Sequence, residues 1–235
     1  MTLVPWNIRR VTARLFLTTA VLAGVAHLAT AEPPPPALAL GQLKAGNDRF
    51  VKNAPQPVAA GAPARQRAQT SSPVAMVLSC ADARVPPELV FDTALGELFV
   101  VRSLGGVADR AVVASLEHGA TALQAPVLVV MGHEACDIVH DAVGGGEPAG
   151  ANRQYLVNAI RAGTGRHAAE QADVRAAVLA NVEQVINDVM AGSEPLRQAA
   201  GSGRLLVVGA YYEMGSGRVV FSEPVTATPA GTAHR

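Results

Sequence analysis

At residues 73–84 the chain reads Pro73-Val-Ala-Met-Val-Leu-Ser-Cys-Ala-Asp-Ala-Arg84. The apolar run 74–78 is short and ends in polar and turn-forming residues, a pattern typical of a buried strand in a parallel sheet. Cys80, Asp82 and Arg84 follow this run at alternate positions. Because ligands bind beyond the carboxyl ends of the strands in open α/β sheets, we expect these three side chains to belong to a functional site.

A second apolar run, 126–131, has the same character and ends in Gly132-His133-Glu-Ala-Cys136. If the two strand ends converge, Cys80, His133 and Cys136 can bind one metal ion. Two thiolates and one imidazole are the three protein ligands of a catalytic zinc site, whereas structural zinc sites usually have four. The sequence therefore indicates a zinc centre with one coordination position left open.

Three other polar residues near these motifs are interpreted as structural. A fourth metal ligand from the protein would have to be His118 or His140, the remaining histidines close to these strand ends in sequence. We expect His118 to be a structural residue on a helix and His140 to lie on the outer face of the next helix. Arg102 ends a further apolar run, and we expect it to form a structural ion pair.

The composition indicates a globular protein. Its 235 residues are 49% hydrophobic and 16% charged, enough apolar content for a substantial core. Basic and acidic residues are equal at 19 each, so the net charge gives no indication of a nucleic-acid partner. The two cysteines are too few for a disulfide framework. In an oxidising compartment, a single Cys80–Cys136 disulfide with a redox function is the alternative to a metal site, but it leaves His133 without a role.

The N-terminal segment has the order of a secretory signal peptide. Arg9, Arg10 and Arg14 precede the apolar run 15–26, and Ala29-Thr-Ala31 then offers small residues for cleavage. An uncleaved membrane anchor is the alternative, although the apolar run is short for a membrane span. We therefore expect export to the bacterial periplasm or the extracellular space, with membrane contact only through the signal.

Strands alternate with helices along the rest of the chain. Strands are predicted at 74–78, 97–102, 126–131 and 204–211, with an antiparallel edge strand at 218–221, and helices at 38–50, 110–124, 137–143, 152–161 and 174–190. This alternation predicts an α/β fold, with a mostly parallel central sheet of about four to five strands flanked by helices and an N-terminal helical arm.

The chain divides into four predicted segments. These are a signal peptide (1–31), a Pro-rich leader (32–36), a single zinc domain (37–223) and a flexible tail (224–235). Within the domain, residues 54–72 are mostly small or polar and include three prolines, so we expect an irregular arm that wraps a neighbouring subunit.

The two motifs, Cys80-x-Asp82-x-Arg84 and His133-x-x-Cys136, resemble the signature motifs of the β-class carbonic anhydrases. Further stretches resemble this family in the same order along the chain: Gly46–Phe50, Gly96–Arg102, Ser115–His118 and Val207–Tyr212. Two motifs at the right separation within matching flanks make a specific signal, and the resemblance covers most of the chain after the leader.

The resemblance implies a carbonic anhydrase, a zinc lyase that reversibly hydrates carbon dioxide to bicarbonate by attack of zinc-bound hydroxide. One zinc ion per subunit would be held by Cys80, His133 and Cys136. Asp82 would accept a hydrogen bond from the hydroxide while Arg84 holds its carboxylate. In a closed resting state Asp82 would itself become the fourth ligand. A homodimer or tetramer is also implied, with the site completed at the subunit interface.

The sequence departs from the family at three places. Ser71 replaces a glutamine that hydrogen-bonds substrate, Asp137 replaces a glycine, and Ser103-Leu-Gly-Gly106 replaces Asn-Ala-Gly-Asn. We interpret Ser71, Gly105 and Gly106 as candidate substrate contacts. The departures leave two alternatives to carbonic anhydrase activity: a hydrolase of carbon disulfide or carbonyl sulfide on the same scaffold, or a low-activity module that binds zinc or bicarbonate.

Overall fold

The computed structural model of the protein describes residues 32–56, 61–70, 72–144, 150–164 and 173–225. The predicted signal peptide, Ser71 and residues 226–235 of the predicted tail lie outside these ranges. Within them, no helix combines the length and the apolar character needed to cross a membrane.

A five-stranded sheet forms the centre of the molecule. Its strands are β1 (Ala75–Cys80), β2 (Leu98–Ser103), β3 (Val127–His133), β4 (Leu206–Tyr212) and β5 (Val219–Phe221). Their order across the sheet is β2-β1-β3-β4-β5. The first four strands are parallel, and β5 pairs antiparallel to β4. The predicted α/β fold with a mostly parallel sheet is therefore confirmed, including its antiparallel edge strand.

Helices follow the strands as the sequence pattern predicts. They are α1 (Pro36–Val51), α2 (Ala62–Ala68), α3 (Pro87–Val90), a 3₁₀ turn (Leu104–Gly106), α4 (Arg110–Thr121), α5 (Asp137–Val143), α6 (Ala151–Thr164), α7 (Val174–Gly192) and α8 (Glu194–Gly201). Local signals fix several starts: the side chains of Asp109, Asp173 and Ser193 accept backbone N–H groups at the first turns of α4, α7 and α8.

Two helices correct the sequence prediction. The stretch 54–72, expected to be irregular, contains α2, because Pro63 stands in the first turn, where proline is tolerated. Helix α8 was not predicted, since it is short and begins directly after α7 at Ser193. Within the predicted tail, the backbone N–H of Val225 donates to the carbonyl oxygen of Val207 at 2.8 Å.

Strand β1 connects the two faces of the core. All six of its residues are buried, and successive side chains point to opposite sides. Met76 and Leu78 pack with residues of α4, α7 and α8. Ala75 and Val77 pack on the other face with residues of α1 and α3. Burial on both faces explains why the run is continuously apolar rather than alternating.

Asn47 fixes α1 to the rest of the domain. Its side-chain amide donates to the carbonyl oxygens of Val90 (3.1 Å) and Gly217 (2.9 Å), and its oxygen accepts from the backbone N–H of Val219 (2.9 Å). The side chain is buried, so these bonds replace those it would make with water. The N-terminal helix is therefore attached to both α3 and the β4–β5 hairpin.

Candidate metal centre

The neighbouring strands β1 and β3 bring the predicted metal ligands together. Cys80 is the last residue of β1, His133 is the last residue of β3, and Cys136 directly precedes α5. One ligand atom from each of the three lies within 4.8 Å of the others. All three residues are buried, with exposed fractions of 2%, 0% and 4%. The expected convergence of the two strand ends is thus present.

The histidine ring has one nitrogen bonded and one unpartnered. Nδ1 of His133 lies 2.8 Å from the backbone oxygen of Glu134. A carbonyl oxygen only accepts, so Nδ1 carries a proton and Nε2 is the nitrogen available to a metal ion. Nε2 is buried and has no hydrogen-bond partner among the described residues. An unpartnered buried polar atom is costly, and a metal ion would satisfy this one.

The two cysteines are free, and their pKa values are shifted in opposite directions. A hydrogen bond from Cys136 lowers the pKa of Cys80 to about 4, against the opposing effect of burial. The same interaction and burial raise the pKa of Cys136. For His133, burial lowers the pKa, but the contacts with Cys80 and the Glu134 carbonyl outweigh it and the net shift is upward.

This donor set fits a zinc ion. The thiolate is the form of cysteine that binds metals, and Cys80 is already disposed to it. Two thiolates and one imidazole are soft and borderline ligands, which select zinc over hard cations such as Mg²⁺ or Ca²⁺. Because the group within the described ranges contains three protein ligands, a four-coordinate ion held there would have one position left for water or substrate.

Asp82 and Arg84 form a closely bonded pair beside this group. The carboxylate accepts the backbone N–H of Arg84 at 2.8 Å, Nη2 at 2.6 Å and Nε at 3.0 Å. Nη2 of Arg84 also donates to the carbonyl oxygen of Ala135 at 3.3 Å, in the turn between His133 and Cys136. The hydrogen bond from Arg84 lowers the pKa of Asp82 to about 2, so the carboxylate is ionised and acts only as an acceptor.

The role of Asp82 as a fourth ligand in a closed resting state stays a prediction. Its carboxylate is paired with Arg84, and the metal-binding group of the described residues does not include it.

Arg102 differs from the expectation of an ion pair. It forms no ion pair within the described ranges; instead, Nε donates to the carbonyl oxygen of Cys80 at 3.0 Å and Nη2 to that of Asp82 at 2.5 Å. These carbonyls lie at and just beyond the end of β1, and the forked guanidinium spans both of them. Arg102 therefore braces the loop that carries Asp82.

The remaining candidates divide between the site and the surface. Gly105 contacts the site directly, since its backbone N–H donates to Sγ of Cys80 at 3.3 Å; it and Gly106 have φ values of 72° and 70°. His118 and His140 are exposed on α4 and α5, as expected, and neither joins the metal group of the described residues. Asp137 is the exposed first residue of α5.

The sequence analysis does not predict a role for two residues near the site, Glu134 and Asn181. Glu134 lies inside the second motif, and its carboxylate accepts the backbone N–H groups of Met214 (2.9 Å) and Gly215 (3.4 Å). Asn181 of α7 donates to the carbonyl oxygen of Gly105 at 2.8 Å. The signal for Asn181 was available: it is a polar residue within the buried apolar face of a helix.

Comparison with known proteins gives a consistent result. A family model described as carbonic anhydrase matches residues 75–219. "Carbonic anhydrase 2" of Mycobacterium tuberculosis is 33% identical over 202 residues, which cover 81% of this chain and 94% of that protein. The "Carbonic anhydrase" of Mycolicibacterium smegmatis is 33% identical over 189 residues, covering 78% and 92%.

Solved structures agree on the fold. A structure from a study of two tetrameric β-carbonic anhydrases of Sordaria macrospora superposes with a TM-score of 0.62 at 22% identity, covering 80% of this chain and 95% of that one. The Coccomyxa β-carbonic anhydrase in complex with acetazolamide gives a TM-score of 0.63 at 24% identity, covering 81% and 87%.

Proposed function

Because this chain belongs to the β-carbonic anhydrase family, we propose that it reversibly hydrates carbon dioxide to bicarbonate using one zinc ion per subunit. The observation that carries the proposal is the buried group of Cys80, His133 and Cys136, in which the histidine presents an unpartnered nitrogen. When bound there, zinc supplies a water molecule with a pKa lowered to about 7, and hence a nucleophile near neutral pH.

Asp82 orients that nucleophile. Its ionised carboxylate can only accept hydrogen bonds, and it keeps lone pairs beyond those that Arg84 uses. The side chain is 15% exposed, so water or substrate can reach it. Arg84 holds the carboxylate from one side and Arg102 holds the backbone on which it stands. The direction of the accepted hydrogen bond is thereby set before substrate arrives.

Apolar packing limits water around the ligands. Cys80 and Cys136 belong to a buried cluster that also contains Val107, Ile138 and Val139. Carbon dioxide is apolar and suits such surroundings, while the product anion is favoured by the adjacent guanidinium.

The alternatives have less support. The relatives and solved structures described above are carbonic anhydrases, which does not favour carbon disulfide or carbonyl sulfide as substrate. Both cysteines are free, which does not favour a redox disulfide. Ser71, the residue that favours a low-activity module that binds zinc or bicarbonate, lies outside the described residues. Only a measurement of turnover therefore separates such a module from an active carbonic anhydrase.

The deciding experiment combines metal analysis of the purified protein with stopped-flow CO2 hydration. We expect one zinc per chain, two titratable thiols after chelation, activity lost on zinc removal, and activity restored by zinc. A Cys80–Cys136 disulfide in freshly isolated, metal-free protein would contradict the zinc site. Full zinc occupancy without CO2 hydration would contradict the proposed reaction.

Export is a separate proposal based on residues 1–31. The charged, apolar and small-residue order of this segment supports cleavage after Ala31 and release outside the cytoplasm. N-terminal sequencing of the protein made in a bacterial host should then begin at Glu32. Recovery of the full-length chain in the cytoplasmic fraction would contradict it.

A further inference from the structure

We propose that Asn181 of helix α7 is a positioning residue of the metal centre, which holds the backbone of Gly105 so that its N–H points at Sγ of Cys80. The inference rests on the proposed function, since it treats Cys80 as a zinc ligand. It assigns a role in metal binding to a residue more than forty positions from the nearest ligand in sequence.

The contacts form a chain from the helix to the sulfur. Nδ2 of Asn181 donates to the carbonyl oxygen of Gly105 at 2.8 Å. The backbone N–H of the same glycine donates to Sγ of Cys80 at 3.3 Å. Asn181 is 4% exposed and Cys80 is 2% exposed, so water does not compete for either bond. The carbonyl oxygen of Gly105 is thus fixed by α7, and its N–H is directed at the sulfur of Cys80.

The conformation of Gly105 makes this arrangement specific. Its φ of 72° lies in the left-handed region, which favours glycine. A Cβ atom at this position would lie 2.9 Å from both Cγ2 of Ile138 and Cδ1 of Ile160. The loop is therefore packed tightly against α5 and α6 on one side, and Asn181 supplies a polar anchor from α7.

A hydrogen bond from an N–H group offsets part of the negative charge on a thiolate sulfur and fixes the direction of the sulfur lone pairs. Residues that orient metal ligands from outside typically account for 10–100-fold in metal affinity or activity. A merely structural Asn181 would satisfy a buried carbonyl group and nothing more. In that case its loss would lower stability without altering the sulfur–metal bond.

The test uses Asn181→Leu, which keeps a similar volume and removes the donor, and the smaller Asn181→Ser. Asn47→Leu is the matched control, because Asn47 is also buried and also donates to backbone carbonyls, but at α3 and the β4–β5 hairpin. Zinc affinity is measured by competition with a chromophoric chelator. The thiolate-to-cobalt absorption band is recorded after Co²⁺ substitution, and stability is measured by denaturant unfolding.

We expect both variants at position 181 to bind zinc about 10–100-fold more weakly and to shift the cobalt band. The control should lose stability but keep the wild-type affinity and spectrum. Unchanged affinity and spectrum in a folded Asn181 variant would overturn the inference.

If neither variant folds, ¹¹³Cd-loaded wild-type protein decides: scalar coupling between cadmium and the Gly105 amide proton supports the inference and its absence overturns it. Wild-type protein that binds no zinc would instead refute the proposed function.

Discussion

At the scale of single residues, the backbone sets the chemistry of the metal ligands. Sγ of Cys80 receives the N–H of Gly105, and Nδ1 of His133 donates to the carbonyl of Glu134. The first contact favours a thiolate, and the second fixes a proton on Nδ1, so that Nε2 is the nitrogen left for a metal ion. The ligand set is thus prepared for a cation by backbone groups whose contacts the two sequence motifs do not predict.

Asp82→Asn should separate a catalytic role from a structural one. If Asp82 only braces its loop, asparagine keeps the shape and costs about 1 kcal/mol of stability for one hydrogen bond. If it orients the attacking water, the amide can present a hydrogen instead of an acceptor. Misplacing a reacting group should then cost on the order of 100-fold in CO2 hydration, with zinc retained. Turnover and zinc content are measured on the same preparation.

Arg84→Ala is the companion variant, because it frees Asp82 from its partner. We expect a similar loss, and a double variant hardly worse than either single one, since the two residues act as a unit. Near wild-type turnover in zinc-loaded Asp82→Asn would remove Asp82 from the mechanism and leave it as scaffolding.

At the scale of elements, the packing of α1 against the backbone of Phe91 can be tested with two glycines of this helix. A Cβ atom on Gly46 would lie 1.8 Å from the carbonyl oxygen of Phe91, whereas one on Gly41 would meet nothing within 4 Å. Gly46→Ala should therefore destabilise the protein by about 1–3 kcal/mol through overpacking against backbone. Gly41→Ala should stabilise it by about 0.5–1 kcal/mol through helix propensity. Denaturant unfolding measures both, and equal effects would refute the close contact.

Elements differ in how far the sequence predicts them. Strands β1 and β3 were predicted because burial on both faces makes their sequences continuously apolar, and the motifs at their ends predicted the converging ligands. Helix α2 was missed because small residues such as Ala64 give little periodicity. The apolar face of α7 marks Asn181 as a buried polar residue. Its partner, and the two carbonyls that Arg102 contacts, depend on packing between separate elements and are not shown by any local pattern.

At the scale of the whole molecule, zinc should link the ends of two strands and stabilise the fold. A ligand that binds only the folded chain raises the unfolding free energy by about 1.4 kcal/mol for each tenfold increase above its dissociation constant. Unfolding in zinc buffers should show this rise for wild-type protein and for His118→Ala, whose exposed imidazole is away from the site. Cys136→Ser should reach the same rise in unfolding free energy only at a far higher zinc concentration. A wild-type response in this variant would contradict the assigned ligand set.

Assembly is the remaining whole-molecule prediction, and it concerns β2. This strand is at one edge of the sheet, and its apolar residues are only half-buried. Leu89 and Leu95, which precede it, are 54% and 50% exposed. An apolar edge strand with exposed leucines beside it is a site for association with another chain. We therefore predict a homodimer, or a multiple of one, that covers this edge next to the metal group.

Sedimentation velocity should give at least twice the mass of one chain for the wild-type protein. Leu95→Asp should shift the distribution towards monomer and lower activity with it, because burying a carboxylate at an interface is costly. Leu179→Asp is the control: Leu179 is 45% exposed but lines a cavity with Val220 and Phe221 of β5, at the opposite edge of the sheet. A fully active monomer would refute the dimer, and dissociation by Leu179→Asp alone would move the interface from β2 to β5.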